Sequence, residues 1–119
     1  MKFHSLSRRE RITSTSEFER ALDNAATYHG KRLNLRIAQN NYGFSRIGIC
    51  LRRENFELAT KRNKMRRYLK EIFRLNKGIF KKGYDILAMP KKGSENLTFA
   101  ELRDEFTQIL KKANILNTA

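Results

Sequence analysis

The sequence has a single cysteine, Cys50, among its 119 residues. An internal disulfide and a cysteine-rich metal site are therefore excluded, and Cys50 is expected to be a small buried strand residue. No apolar run approaches the roughly 18 residues that a membrane-spanning helix needs. The first ten residues also lack the apolar core of a signal peptide. We therefore expect a cytoplasmic protein with no membrane contact and no disulfide partner.

Acidic residues are scarce, at 12 against 26 basic residues. Two-metal phosphoryl chemistry needs several carboxylates that converge, and the sequence contains no such cluster. Phosphate-binding glycine loops, the H-E-x-x-H zinc motif and paired cysteines are missing as well. The two histidines, His4 and His29, lie far apart in segments predicted to be arm or loop. The chain alone therefore has the features of a binding protein rather than those of a catalyst.

The excess of basic residues is concentrated in one part of the chain. The formal net charge is +14, with a pI near 10.4. Residues 61–92 hold 12 bases and 2 acids, so ten of the fourteen net charges lie in this window. Such a local excess indicates a nucleic-acid footprint rather than general solubility. At this length we expect one RNA-binding domain over residues 1–119, with a basic N-terminal arm over residues 1–14.

The basic window includes a predicted helix over residues 58–77, which contain no proline or glycine. Apolar residues recur there at helical spacing, and they are Met65, Leu69, Ile72 and Phe73. The opposite, polar side and its flanks consist of Asn63, Lys64, Arg66, Arg67, Lys70 and Arg74, with Arg62 nearer the apolar edge. An ordinary solvated face mixes charges of both signs, whereas Glu71 is the only acid here. The polar side is therefore predicted to contact nucleic acid.

The first half of the chain predicts one helix and two strands. Ser16 as N-cap with Glu19 at N3 matches a capping box and predicts a short helix to about Ala26. Alternating apolar residues predict strands over 31–38 and 46–52. The turn signal between these two strands predicts that they form a hairpin. Whether a further short strand lies near residues 28–32 is not decided by the pattern.

The chain after the central helix predicts one more strand and one more helix. The strand covers residues 84–90 and ends at Pro90. Thr98 and Glu101 match a second capping box, which opens an amphipathic helix to about residue 113. The resulting order, α-β-β(-β)-α-β-α, predicts an α+β fold of the two-layer α-β sandwich type. Helices would cover one face of the sheet and leave the other face free.

Part of the central helix resembles a family signature. Residues 59–67 read A-T-K-R-N-K-M-R-R, which is similar to the A-V-x-R-N-x-x-K-R motif of the bacterial ribonuclease P protein subunit. The likeness extends to a helix that bears Phe18, to the R-[IV]-G strand at 46–48 and to the strand that begins at Gly83. The family usually has S-K-K and a glycine between its hairpin and its central helix. Residues 51–58 of this chain contain no glycine, so the register of the 52–58 loop cannot be read from the motif.

The resemblance implies a function and a division of labour. The family removes the 5′ leader from precursor transfer RNA together with a catalytic RNA, which would carry the chemistry and bind most of the Mg²⁺. The protein would contribute no catalytic residue and alone it would be inactive. No metal ligand is assigned to it, and whether its groups help to position Mg²⁺ is left open by the sequence. The resemblance also implies a left-handed β-α-β crossover, although the general rule favours right-handed ones.

The same resemblance implies two binding sites. The central helix would bind the ribonuclease P RNA through Arg62, Asn63, Lys64, Arg66, Arg67, Lys70 and Arg74. The uncovered sheet face and the first helix would form a cleft for the single-stranded leader of the precursor, lined by Phe18, Arg36, Arg46, Arg52 and Arg53. Single strands are held by such pairing of base stacking with a cationic groove.

Other interpretations remain open on sequence alone. A ribosomal or other structural RNA-binding protein would share the size and charge but would need no open cleft. A basic nuclease acting alone would need the missing carboxylates. A DNA-binding helix-turn-helix is disfavoured because strands flank the basic helix. Phe18 could also be a core residue rather than a site residue.

Overall fold

A computed structural model of the chain describes residues 8–115, apart from the side chain of Thr15. Short 3-10 turns lie at Arg8–Glu10 and Ser94–Asn96. The helices and strands are α1 (Thr15–Asp23), β1 (Ala26–His29), β2 (Leu33–Gln39), β3 (Arg46–Ile49), α2 (Ala59–Leu75), β4 (Tyr84–Pro90) and α3 (Phe99–Lys112). This is the predicted element order. The additional strand is present, at 26–29 rather than near 28–32, and β3 ends three residues earlier than predicted.

The four strands form one sheet in the order β1-β2-β4-β3. β2 is antiparallel to both β1 and β4, and β3 is parallel to β4. The predicted hairpin between β2 and β3 is therefore wrong, because β4 lies between them. Periodicity shows which face of a strand is buried, but it does not show which strand is the neighbour.

The helix α2 connects β3 to β4, which are parallel neighbours. A parallel pair cannot be joined by a tight turn and needs a crossover of a dozen or more residues. The 17 residues of α2 supply that crossover. The left-handed sense of the connection stays a prediction.

The main core lies between one face of the sheet and the helices α2 and α3. The strands contribute alternate residues to it, among them Leu33, Leu35 and Ile37 of β2. The helices contribute buried side chains at helical spacing, which are Met65, Leu69, Ile72, Phe73, Leu102, Phe106, Ile109 and Leu110. Both predicted apolar stripes are therefore confirmed.

The helix α1 packs on the other face of the sheet. In β4, Leu87 lies between Ile86 and Ala88, which belong to the main core, so its side chain points to the opposite face. Leu87 forms a small separate cluster there, with side chains from α1 and the segment before it, which are Ile12, Phe18, Ala21 and Leu22. The prediction that helices cover only one face is thus wrong for this part of the sheet.

The helix α1 begins and ends earlier than predicted. Its N-cap is Ser14 rather than Ser16, no side chain caps it, and its last residue is Asp23. Around the start of α1 the pattern S-x-x-E occurs twice, because Ser14 with Glu17 matches it as well. Neither box forms, since the Glu17 carboxylate binds Arg46 instead. The capping box of Thr98 and Glu101 in α3 is complete, as predicted.

The described part of the predicted arm is attached to the sheet. Residues 1–7 lie outside the described residues. Arg11 forms a parallel bridge with Ile47 of β3, and the N–H of Ile12 donates to the Ile47 carbonyl at 2.8 Å. Ile12 is buried. Arg11 and Ile12 therefore attach the described part of this segment to the β3 edge of the sheet.

Candidate nucleic-acid interface

The outward side of α2 carries seven bases and one acid over its 17 residues. The acid, Glu71, is paired with Arg74 through two hydrogen bonds from the guanidinium. These bonds lower the pKa of Glu71 below its usual range. The pair neutralises Arg74 locally and leaves the other six bases of the helix without an acid from α2 itself.

Two of those bases hold neighbouring loops. Arg62 donates to the carbonyls of Phe56 at 2.7 Å and Glu57 at 2.9 Å, and Lys64 donates to the carbonyl of Glu95 at 3.1 Å. A carbonyl is neutral, so both cations keep their net charge while their positions are fixed. The structure thus gives these two predicted RNA-binding residues a role within the fold as well.

The remaining bases of α2 point away from the core. The side chains of Lys61, Arg67 and Lys70 form no ion pair and no hydrogen bond with any residue in the described range 8–115. The Arg67 guanidinium carbon lies 5.9 Å from the centroid of the Tyr68 ring. The Arg66 side chain donates to Asn63 Oδ1 at 3.3 Å and forms no ion pair within the described part of the chain. Leaving so much like charge unpaired is unfavourable unless a polyanion supplies the countercharge.

Arg11 adds a cation to this surface that sequence reasoning missed. It lines a cavity of about 140 Å³ together with Arg66 and Lys70 of α2, above the β3 residues Ile47 and Ile49. Its Nε is buried and has no hydrogen-bond partner among the described residues. No carboxylate lines the cavity, so its chemistry suits a phosphate group. The bridge between Arg11 and Ile47 places Arg11 beside α2, and sequence periodicity carries no signal for such a contact.

The start of α2 is also electropositive. Leu58 occupies the N-cap position without a side-chain hydrogen bond, and the first turn has no acid. The first N–H groups of a helix lack intrahelical acceptors and favour anions. With Lys61 and Arg62 in the same turn, this end of the helix adds to the anion-attracting surface.

A second candidate surface lies on the opposite face of the sheet, beside α1. Phe18 is half-buried, and its ring packs over Gly48 of β3. A Cβ atom at position 48 would lie 2.9 Å from Phe18 Cε2 and 2.8 Å from Leu87 Cδ2. Only glycine leaves room for the ring there. Phe18 thus combines a packing contact with an exposed edge, so the core and site interpretations are both compatible with its position.

Arg36 lies on the same face of the sheet as Phe18. On β2 it lies opposite Leu87 of β4, and Leu87 lies opposite Gly48 of β3, so the three residues form one row across the sheet. Arg36 is half-buried, and its Nε has no hydrogen-bond partner within the described part of the chain. The structure therefore brings Phe18 and Arg36 to one face, as predicted.

Arg46 lies on the same face of β3 as Gly48, where acidic side chains of the protein bind its guanidinium, and its predicted contact with the leader stays a prediction. Its Nε and one terminal nitrogen bind the two Asp85 oxygens at 2.8 and 2.7 Å, and the other terminal nitrogen binds Glu17 at 2.8 Å. The hydrogen bond to Asp85 is the main reason that the Arg46 pKa is raised. Arg46 is buried, at 8% exposure. All three guanidinium nitrogens donate within the protein, and these bonds use three of the five N–H groups of the side chain.

Arg52 and Arg53 lie in the turn after β3, and both are exposed. Arg52 is 3.4 Å from Glu54, but an ion pair this exposed contributes little. Arg52 lines an open groove of about 220 Å³ whose other lining residues are Asn34, Cys50, Asn55, Met89, Pro90, Lys91 and Lys92. Asn34 is two residues from Arg36 on β2, so this groove continues the face that carries Arg36. Cys50 is half-buried at its edge rather than fully buried.

Metal-binding clusters and membrane-spanning helices are both absent from residues 8–115. No group of three or more histidine, cysteine, aspartate or glutamate side chains in this range could hold a metal ion. No described helix is long and apolar enough to cross a membrane.

Comparison with known proteins gives consistent matches. The family model described as Ribonuclease P matches residues 6–114. The ribonuclease P protein component of Thermotoga maritima is 33% identical over 112 residues, which are 91% of this chain and 95% of the relative. That of Finegoldia magna is 31% identical over 104 residues, covering 87% of this chain and 90% of the relative.

Solved structures are similar over the same extent. The ribonuclease P protein from Thermotoga maritima has a TM-score of 0.78 at 30% identity, with coverage of 87% of this chain and 97% of that one. The Staphylococcus aureus ribonuclease P protein has a TM-score of 0.81 at 21% identity, with coverage of 91% and 98%. At that identity the second match supports the fold alone.

Proposed function

This chain belongs to the ribonuclease P protein family, and we propose that it works with a catalytic RNA to remove the 5′ leader from precursor transfer RNA. The observation that carries the proposal is the presence of two separate cationic surfaces. One is the outward side of α2, whose single acid is already paired with Arg74. The other is the half-open sheet face with Phe18 and Arg36. Two surfaces suit a protein that binds two RNA segments at once.

The outward side of α2 is the surface that we assign to the catalytic RNA. Arg67 and Lys70 are the strongest candidates for phosphate contacts, because no described acidic residue forms an ion pair with either of them. Each neutralised phosphate releases counterions, which gives binding energy and a salt dependence. Arg11 and Arg66 extend the same surface towards β3, and an arginine can bridge two phosphate oxygens where a lysine cannot.

The open sheet face is the surface that we assign to the leader. The exposed edge of Phe18 can stack on an unpaired base, and Arg36 has a donor nitrogen without a partner in the described chain. Arg52 and Arg53 continue the positive charge beyond β3. A single-stranded segment matches this combination of an aromatic side chain and a cationic groove. A precursor would then bind more tightly than the mature product, which has no leader.

The catalytic RNA carries the reaction in this proposal, and it binds most of the Mg²⁺. Among residues 8–115 no three histidine, cysteine, aspartate or glutamate side chains converge, so the described chain offers no magnesium site built from protein ligands alone. Its residues bind and orient the two RNA segments. A cytoplasmic location is part of the same proposal.

A structural RNA-binding protein, such as a ribosomal one, is the alternative function. It would use a cationic α2 but would have no need for Phe18 at the edge of an open sheet face. Cleavage of precursor transfer RNA by a bacterial ribonuclease P RNA at low magnesium, with and without this chain, separates the two. We expect the chain to restore cleavage and to be inactive without the RNA. Cleavage that is unchanged by the chain would contradict the proposal.

A further inference from the structure

We propose that Arg46 is a positioning residue, which acts through Glu17 to fix α1 on the sheet and thereby sets the place of Phe18. This inference rests on the proposed function of the open sheet face as the leader site. It differs from the expectation that Arg46 binds the leader itself, and it assigns a role to Glu17 that the sequence pattern did not suggest.

The guanidinium of Arg46 is held rigidly from the sheet side. Asp85 of β4 accepts two hydrogen bonds from it and a third, at 2.8 Å, from Asn40 Nδ2. The Asp85 side chain is only 7% exposed. Planar, bidentate pairing fixes the orientation of an arginine as well as its charge. The remaining nitrogen of Arg46 therefore points in a defined direction, and Glu17 receives it.

Glu17 transfers this constraint to α1. It is the residue directly before Phe18, and it occupies N3 of the helix, from which a glutamate can cap its own N-terminus. Its carboxylate instead accepts a hydrogen bond from Arg46 at 2.8 Å, and α1 has no side-chain cap. A nine-residue helix is marginal by itself. The position of α1 thus depends on the few contacts that it makes with the sheet.

The contact between Phe18 and Gly48 lies beside the ion pair between Glu17 and Arg46. Arg46 and Gly48 are two residues apart on β3, so they lie on the same face. Arg46 binds Glu17 there, and Gly48 accommodates the adjacent Phe18 ring, with no space for a Cβ atom. An ion pair and a close ring contact therefore attach neighbouring residues of α1 to neighbouring positions of one strand. Loss of the ion pair would let the ring shift out of its place.

The two possible roles of Arg46 predict opposite results for the substitution Glu17→Gln. If Arg46 bound a leader phosphate, the Glu17 carboxylate would compete with that phosphate, and its neutralisation would strengthen precursor binding. If Arg46 positions α1 through Glu17, the same substitution loosens α1 and weakens precursor binding. Glu17 is about half exposed, so the variant is expected to fold.

The experiment uses the full chain assembled with a bacterial ribonuclease P RNA and measures affinities for precursor and mature transfer RNA. For Glu17→Gln we expect precursor affinity to fall roughly 2- to 5-fold, the loss expected for one half-exposed ion pair, with mature affinity unchanged. Glu19→Gln is the matched control, because Glu19 is exposed on the same helix and has no ion pair among the described residues. Unchanged or stronger precursor binding by Glu17→Gln would overturn the inference.

Hydrogen exchange of the protein without RNA separates this inference from the proposed function. Glu17→Gln should speed amide exchange in α1 while leaving α3 unchanged. Unchanged exchange in α1 would refute the positioning role whatever the RNA data show. If exchange is faster but the unsubstituted chain itself does not prefer precursor over mature transfer RNA, the proposed function fails, and the leader role of Phe18 fails with it.

Discussion

Helices α2 and α3 fill the same core but present different surfaces to the outside. Each buries four apolar side chains against one face of the sheet. On its outward side α2 has seven bases and one acid, whereas α3 has three bases and three acids. The mixed charge of α3 is typical of a helix that only meets water. Burial therefore accounts for the fold of both helices, while the charge of α2 needs a separate explanation.

The N-termini of α2 and α3 also differ in charge, because only α3 has an acidic residue in its first turn. Thr98 and Glu101 cap α3 completely, and the Glu101 pKa is lowered mainly by the hydrogen bond from the Thr98 N–H. α2 begins at an exposed leucine with no acid in its first turn. A base near a helix N-terminus is unfavourable for the helix, and Lys61 and Arg62 lie there. The N-terminus of α3 is stabilised by side chains of the chain itself. The N-terminus of α2 has no such side chains, so a bound anion would stabilise it instead.

The largest effects are expected where the two helices are alike. Leu69→Ala in α2 and Leu102→Ala in α3 should each lower the free energy of unfolding by about 2–5 kcal/mol, because each removes a fully buried side chain and leaves a cavity. Chemical denaturation measures both. A much smaller loss for Leu69→Ala would mean that this side of α2 does not face the core.

A smaller effect is expected at Phe18, on the helix that packs against the other face of the sheet. Phe18→Ala should weaken binding of precursor transfer RNA by about 1–3 kcal/mol, the usual contribution of a stacked base. Mature transfer RNA should hardly be affected. The ring is only half-buried, so the loss of stability should stay below the 3–5 kcal/mol typical of a fully buried phenylalanine. Equal losses for both ligands would remove Phe18 from the site.

The N-cap of α3 is expected to affect stability but not RNA binding, in contrast to Phe18. Thr98→Ala should lower the free energy of unfolding by about 1 kcal/mol, as is usual for an N-cap residue, without changing the affinity for either RNA. Thermal unfolding and RNA binding are measured on the same variant. A loss of RNA affinity would show that α3 is not the neutral partner in the comparison of the two helices.

The smallest effect is expected for Glu101→Gln, and it depends on pH. The pKa of Glu101 is lower in the folded protein than its ordinary value of 4.5. Its carboxylate therefore stabilises the fold above pH 4.5, and this contribution disappears as the pH falls through the lowered pKa. The difference in melting temperature between the unsubstituted chain and the variant should shrink as the pH falls below 4.5. A difference that grows on acidification would contradict the assignment.

The features that follow from local pattern could be predicted from sequence. They include the buried stripes of α2 and α3, the cap of α3 and the faces of the strands. Features that depend on distant partners could not. Nothing near β2 indicates that β4 rather than β3 is its neighbour, and Glu17 satisfies a capping pattern while its carboxylate binds Arg46, 29 residues further along the chain. For the same reason Arg11 could not be placed beside α2.

The central claim is that the outward side of α2 binds RNA and that of α3 does not. Its most direct test compares the salt dependence of ribonuclease P RNA binding for Arg67→Gln/Lys70→Gln with that for the charge-matched control Arg103→Gln/Lys111→Gln. The α2 variant should flatten the slope of log affinity against log salt by roughly 0.7 to 0.9 for each phosphate that the helix no longer neutralises. The control should keep the original slope, and neither variant should unfold at a lower temperature than the unsubstituted chain. Equal slopes for the two variants would contradict the claim.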